Sequence, residues 1–264
     1  CDLDRLREWL RRDAQHIRLV SILYGNNETG VVQELGEICT ICRQFDVPVH
    51  SDAVQAVGKI DVNMADLGLT ALTLTAHKLH GPVGIGALIV PSGSKLNPML
   101  VGGGQQLGLR PGTEPVIPAV GLAMAVRLSC EARAAGVYDR VAELRDRFEA
   151  SLAALEPIEF IAADARRLPH VSNVAFLGVD RQALYMALDL AGIACSTGSA
   201  CSSGSSRPSP ILTAMGLGKE TVASSLRFSW SRFSTSDELD RAIRVVTEVV
   251  SNLRSRATIP RAAK

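Results

Sequence analysis

No apolar run in this chain approaches the roughly 18 residues that a membrane-spanning helix needs, and no signal-peptide pattern opens it. Charge imbalance is also lacking. The chain carries 28 basic and 27 acidic residues for a net charge of +1, so nothing pulls it globally toward nucleic acid or an anionic membrane. A disulfide framework is missing too: Cys1, Cys39, Cys42, Cys130, Cys195 and Cys201 show no paired spacing. Cys39-x-x-Cys42 has zinc-like spacing, but no second pair accompanies it and it lies in a helical pattern, so we read two small core residues and no metal site. The expected compartment is a reducing cytoplasm. Lysine is the scarcest charge, with five against 23 arginines.

The scarcity draws attention to Leu69–Pro82, LTALTLTAHKLHGP. Leu69 to Ala76 is uncharged and rich in Leu and Thr, which predicts a buried strand. It delivers Thr75, His77 and Lys78 together at its end, before Gly81-Pro82 stops any regular element. The other four lysines (Lys59, Lys95, Lys219 and Lys264) fall in polar or turn-like stretches. A desolvated lysine is how enzymes obtain an amine able to form a Schiff base; a loop lysine that snorkels to water is the plain alternative.

With 264 residues and 47% hydrophobic content, the chain can bury one large core or two smaller ones. It opens on Cys rather than Met, directly in a charged helix-like segment over residues 1–15, and we expect an upstream portion that is missing or was processed away. Strands are predicted at Ile17–Tyr24, broken by Gly25-Asn26-Asn27, at Val47–His50, ending on Ser51-Asp52 with Gln55 on the following turn, and at Gly84–Val90. A helix is predicted over Glu34–Phe45, and Ile60–Asp66 reads as irregular. Strands alternating with helices, with polar groups gathered at strand ends, indicate an α/β sheet with a site along its edge. Val101–Thr113 (VGGGQQLGLRPGT) is glycine-rich enough to bring backbone amides close to an anion or another chain, yet fits neither the Walker nor the dinucleotide pattern.

Composition shifts after Pro118. Helices predicted over Val120–Ala134 and Tyr138–Leu155 carry the chain into a second, smaller α+β domain, and we place the boundary at 1–132 and 133–264. Strands at Ile158–Ala162, Ser172–Leu177 and Ser224–Trp230 and helices at Arg181–Ala191 and Ser209–Met215 make up that domain. A last helix opens with the capping-box pattern Thr235-Ser-Asp-Glu238. Between them lies the small-residue loop Cys195–Ser206, with Cys201 at its centre.

Asp52 ends one strand, Lys78 another, an Asn-Asn-Glu turn a third, and a cysteine lies in a loop far downstream. Pyridoxal phosphate needs such a set: an amine for the aldehyde, a carboxylate for the pyridine nitrogen, and hydroxyls and amides for the phosphate. The segments GNNETGVVQ, HSDAVQAVGK, TAHKLHGPVGIGAL, GGGQQLGLRPGT, STGSACSS and SSLRFSWSRF resemble, in order and spacing, the cysteine desulfurases of the NifS/IscS type. These are class V aminotransferase relatives of fold type I, with a mostly parallel sheet in a large domain and a smaller C-terminal α+β domain.

The resemblance implies that Lys78 forms the Schiff base and His77 beside it contacts the phosphate. Asp52 would face the pyridine nitrogen, Gln55 the phenolic oxygen, and Asn27 the cofactor and the substrate carboxylate. Thr75 stands where the family usually has a phosphate-binding serine, and Ala76 replaces a common glycine. Thr113 resembles the threonine that reaches the neighbouring subunit's cofactor, which implies a homodimer. Arg227 matches the arginine holding the substrate carboxylate, and a bidentate fork suits that task. Cys201 resembles the nucleophile that carries sulfur as a persulfide to an acceptor protein such as an iron–sulfur scaffold. Cys195 is expected to pack.

The chain departs from the family at its start. The family's ring-stacking histidine and upstream phosphate-binding segment precede the point where this sequence begins, and we expect the 264 residues to bind the cofactor weakly or to need that part. Two alternatives remain open: a selenocysteine lyase, cysteine-conjugate lyase or aminotransferase relative, and a scaffold that keeps the fold without the chemistry.

Overall fold

The computed structural model describes residues 1–198 and 208–257. The chain forms two compact units: Cys1–Gly25 with Gln33–Ala135, and Asn26–Val32 with the chain from Gly136 on.

The first unit is built on a four-stranded sheet in the order β1 (Val20–Leu23), β2 (Val49–Asp52), β3 (Ala71–Thr75), β4 (Gly86–Ile89). β1, β2 and β3 run parallel, with Leu23 opposite Asp52 and Asp52 opposite Thr73, and β4 returns antiparallel to β3. α1 (Leu3–Asp13) starts on Asp2, whose carboxylate accepts from the Asp4 and Arg5 amides, and it buries Leu6 and Leu10. α2 (Leu35–Arg43) buries Leu35, Ile38, Cys39, Ile41 and Cys42, the apolar stripe of an amphipathic helix, and both cysteines are core residues.

Two helices of this unit differ from the sequence expectation. Met64–Leu67, read as irregular, is a short helix (α3) because Asn63 caps its first amides and Gly68 closes it in the left-handed region at φ 74°. α4 (Val116–Ala134) starts four residues early: Pro118 falls in its first turn, where a missing N–H costs nothing.

The second unit is an antiparallel sheet in the order β5 (Ile158–Phe160), β6 (Val171–Phe176), β7 (Ser225–Ser229). Helices α5 (Val137–Leu152), α6 (Arg181–Leu190) and α9 (Ser236–Ala257) supply much of its main core, in which Phe148, Phe176, Leu184, Leu226, Phe228 and Val246 are buried. Phe148 packs against Phe228 and Trp230 with ring centroids 4.9 and 5.1 Å apart. A smaller cluster joins Ile161 and Ala175 to Leu212 of α7 (Pro210–Ala214) and Val222 of α8 (Lys219–Ser224). β6 is buried at every position, so its run Val-Ser-Asn-Val-Ala-Phe shows no apolar–polar alternation. α8 went unrecognised in the sequence because its pattern runs straight into the strand behind it.

Candidate active site

In the first unit the candidate residues gather at the C-terminal edge of the parallel strands, where open α/β sheets hold their ligands. Asp52 is the last residue of β2, half-buried, and one carboxylate oxygen accepts from the Val54 amide at 2.9 Å. That bond starts the tight turn in which the Ala56 and Val57 amides donate to the Ala53 carbonyl, and it places Gln55, half-buried, just beyond. β3 ends at Thr75 and the chain closes into a 3-10 turn, Ala76–Leu79, with His80 left-handed at φ 61°. Thr75 Oγ1 donates to the Ile85 carbonyl at 3.0 Å and lies 3.0 Å from His77 Nδ1. A hydroxyl has one proton, so the imidazole donates from Nδ1 to Thr75. His77 and Lys78 are exposed while their neighbours Ala76 and Leu79 are buried, which fixes the turn and leaves both candidate side chains free of the core.

Thr113 is exposed and lines a separate cavity of about 780 Å³ with Gly84, Ile85, Arg110 and Val116. None of Asp52, Gln55, Thr75, His77 and Lys78 lines that cavity, so the structure does not bring Thr113 to their set.

In the second unit, Asn26 Oδ1 accepts from the Glu28 and Thr29 amides, both at 2.9 Å, and shapes the turn that presents Asn27. Gly30 follows at φ 78°; a Cβ there would sit 3.2 Å from Val171 Cβ, so only glycine lets this turn lie against β6. Arg227 of β7 donates from Nη1 to the Asn27 carbonyl at 2.8 Å, and its backbone exchanges hydrogen bonds with Ser196. Its Nε is buried with no partner among the described residues, and burial lowers the guanidinium pKa against an opposing pull from Glu28. Cys201 lies outside the described residues. Cys195 lies against the main core, its thiol pushed up to about 11 by burial and then by Asp189.

Two residues were missed. Glu28 is buried, accepts from Ser209 Oγ at 2.6 Å, and lies where a Cβ on Gly198 would come within 2.9 Å of its carboxylate. A carboxylate inside GNNETG was the visible signal. Lys59 does lie in a turn, as its sequence setting suggested, but it is buried there: only 7% of it is exposed, and burial pushes it down to about 8. The desolvated lysine of this unit is thus Lys59, while Lys78 is exposed.

The sheet edge, with its acid, amine and hydroxyl at the ends of neighbouring parallel strands, defines a class of protein, and comparison names it. Residues 1–242 match the aminotransferase class-V family, and the chain belongs to that family. It is 42% identical over 255 residues to a cysteine desulfurase of a Nostoc species and 36% identical to the cysteine desulfurase NifS of Azotobacter vinelandii. Those alignments take in 96% of this chain but 63% and 62% of the relatives, so the chain spans less than two thirds of their length. In fold it is similar to a NifS-like protein from Rickettsia africae, with a TM-score of 0.87 at 33% identity over 95% of this chain and 66% of that one. Its architecture is the fold type I of pyridoxal phosphate enzymes, and pyridoxal phosphate is the family's cofactor. The residues present fit that group: Asp52 keeps a carboxylate oxygen beyond the one bonded to Val54, Thr75 and His77 offer polar atoms, and the Lys78 amine is exposed.

Proposed function

We propose that this chain carries the catalytic machinery of a cysteine desulfurase, converting L-cysteine to L-alanine and moving the sulfur to Cys201. The observation that carries the reading is the placement of Asp52 and the Lys78 turn at the C-terminal ends of adjacent parallel strands. Identities of 36 to 42% to proteins named cysteine desulfurase support it.

Bound pyridoxal phosphate supplies an electron sink for the bonds at the substrate's Cα. Lys78 would hold the cofactor through its amine, and the same amine would move the proton at the substrate's Cα. Asp52 would hold the pyridine nitrogen protonated, Gln55 would donate to the phenolic oxygen, and Thr75 and His77 would hold the phosphate. Arg227, aided by Asn27, takes the substrate carboxylate; the partnerless Nε of Arg227 supports that role. The Cys201 thiolate attacks the substrate sulfur, the Cβ–S bond breaks, and the products balance as alanine plus a persulfide on Cys201. The persulfide then passes its outer sulfur to an acceptor protein, an iron–sulfur scaffold by analogy with the IscS and NifS relatives. Thr113 serves the phosphate of a second copy's cofactor, which makes the working unit a homodimer in the cytoplasm. Our division of the sequence at 132/133 has Asp52, Gln55, Thr75 and Lys78 before it and Cys201 after it.

The test measures alanine and sulfide formed from L-cysteine by the loaded chain, with C201A and K78A beside it, followed by borohydride trapping and peptide mapping. From whatever fraction of the parent chain loads with cofactor, we expect pyridoxyl on Lys78, alanine and, with a thiol reductant present, sulfide, and neither product from K78A. Full turnover by C201A eliminates sulfur transfer through that thiol, and the absence of any pyridoxyl adduct on Lys78 leaves a scaffold.

A further inference from the structure

Lys59 is a buried ammonium whose Nζ donates to the backbone carbonyl of Lys78 at 3.1 Å. Among the described residues no carboxylate forms a salt bridge with it, and the charge that acts on it is the like charge of Lys78. An apolar side chain of the same length would fill the space without desolvating a cation. The chain instead keeps an unneutralised charge one hydrogen bond from the residue read as cofactor-bearing, and sites that do chemistry are where such arrangements persist.

The backbone explains how the contact is made. From Asp52 the chain turns without slack: the Val54 amide bonds the Asp52 carboxylate, the Val57 amide bonds the Ala53 carbonyl, and the Lys59 amide bonds the Ala56 carbonyl at 3.0 Å. Gly58 sits at φ 71°, and a Cβ there would lie 2.4 Å from Ser129 Cβ and 3.3 Å from Leu79 Cδ2. Glycine therefore lets this segment press against both α4 and the Lys78 turn, and Lys59 reaches across from it.

We propose that Lys59 is a positioning residue for the proposed reaction: through the Lys78 carbonyl it locks the turn carrying His77 and Lys78 to the segment carrying Asp52 and Gln55. The two halves of the cofactor set come from adjacent strands that the sheet ladder joins as far as Asp52, Ala53 and Thr73, and beyond the ladder this side chain ties the two turns together. Lys59 touches no reacting atom. Its effect is to hold the Lys78 backbone in one place. The proposal rests on the reading of Lys78 as the lysine that carries the cofactor.

The experiment compares the full chain with K59M and K59Q. Measured are the urea midpoint, amide hydrogen exchange over residues 76–81 in the chain without cofactor, and the visible band with the site of borohydride trapping after loading. K59M keeps the length and loses the donor; K59Q keeps a neutral donor. We expect a K59M midpoint no lower than the parent's, with exchange over 76–81 about tenfold faster and a weakened or displaced visible band, as loss of one local hydrogen bond dictates. K59Q should return the exchange to within about threefold of the parent, as a side chain that still donates to the same carbonyl. A role in packing alone predicts the opposite pairing, a lower midpoint with the turn's exchange unchanged relative to the rest of the chain, and that result overturns the proposal. Parent-chain trapping on Lys78 with unchanged exchange and band in both variants overturns the positioning role alone. Trapping at another lysine overturns the reading of Lys78 and the positioning role with it.

Discussion

Arg227 Nη1 donates to the backbone carbonyl of Asn27 at 2.8 Å, while the Nε of the same guanidinium is buried without a partner among the described residues. One edge of the fork is thus spent on fixing the side chain, and a buried donor remains. Burial works against the charge, lowering the Arg227 pKa, and Glu28 works for it. A carboxylate meeting this guanidinium gains a partner that burial has already partly desolvated. Arg227→Lys keeps a positive charge but loses the planar fork, and the ammonium has no second in-plane donor. We expect the apparent Kd for L-cysteine, from spectral titration of the loaded chain, to rise about 10- to 100-fold, the range for a charge-assisted hydrogen bond. An unchanged Kd removes Arg227 from substrate binding.

Lys59 makes stability depend on alkaline pH. Burial first, and the Lys78 charge second, push it from 10.5 down to about 8. The folded chain therefore gives up this proton near pH 8 while the unfolded chain keeps it to about 10.5, so stability rises with pH across that window. Lys59→Met removes the cost, which at about 1.4 kcal/mol per pKa unit amounts to roughly 3 kcal/mol at pH 7, less about 1 kcal/mol for the lost hydrogen bond. Urea denaturation should show K59M more stable than the parent by about 2 kcal/mol at pH 7, with the gain gone by pH 10.5. A destabilised K59M at pH 7 would mean that the ammonium holds more than the Lys78 carbonyl.

Opposite behaviour is expected at acid pH from Glu149. Burial pushes its carboxyl up, but hydrogen bonds from Arg167 and Ser172 together with the charges of Arg167 and Arg145 outweigh burial, and the net pKa is lowered. The Arg167 fork is bidentate, at 2.7 and 2.8 Å, and both side chains are largely buried. Arg167 also bridges Val31 backbone to backbone, so this pair stands behind the segment that presents Asn27. Stability contributed here is complete above the ordinary glutamate value of 4.5 and is lost as pH falls through the lower folded value. Glu149→Ala leaves a buried guanidinium unneutralised and should cost about 3–5 kcal/mol at pH 7, with a flatter acid limb in a pH series of denaturation midpoints.

The parallel strands and the polar residues at their ends were legible because each signal was local. Apolar runs stopped at Asp52 and at Thr75, where polar residues take over. Helix ends hidden by the sequence were hidden for equally local reasons: Pro118 reads as a breaker but is harmless in a first turn, and Asn63 and Gly68 cap a helix too short to show a period. Lys59 and Glu28 were not legible as buried groups, because burial of a charge depends on what arrives from elsewhere in the chain. For Lys59 that is the Lys78 turn, and for Glu28 it is Ser209, 181 residues further on.

The two cysteines that bracket the start of the small-residue loop make the last prediction. Cys195 packs on the main core and its thiol is pushed up to about 11, so at pH 7.5 it holds far less thiolate than an ordinary cysteine and should alkylate about 100-fold more slowly. Cys42, pushed up to about 11 by burial and then by Cys39, should be equally inert. Cys201 is proposed as the sulfur carrier, a task that requires an accessible thiolate near neutral pH. Limited iodoacetamide treatment of a chain with Cys1 and Cys130 replaced by serine should therefore modify Cys201 first, in step with the loss of alanine formation. Peptide mapping that finds Cys195 carrying the label as activity falls, with Cys201 unmodified, would assign the sulfur to the wrong residue in our reading.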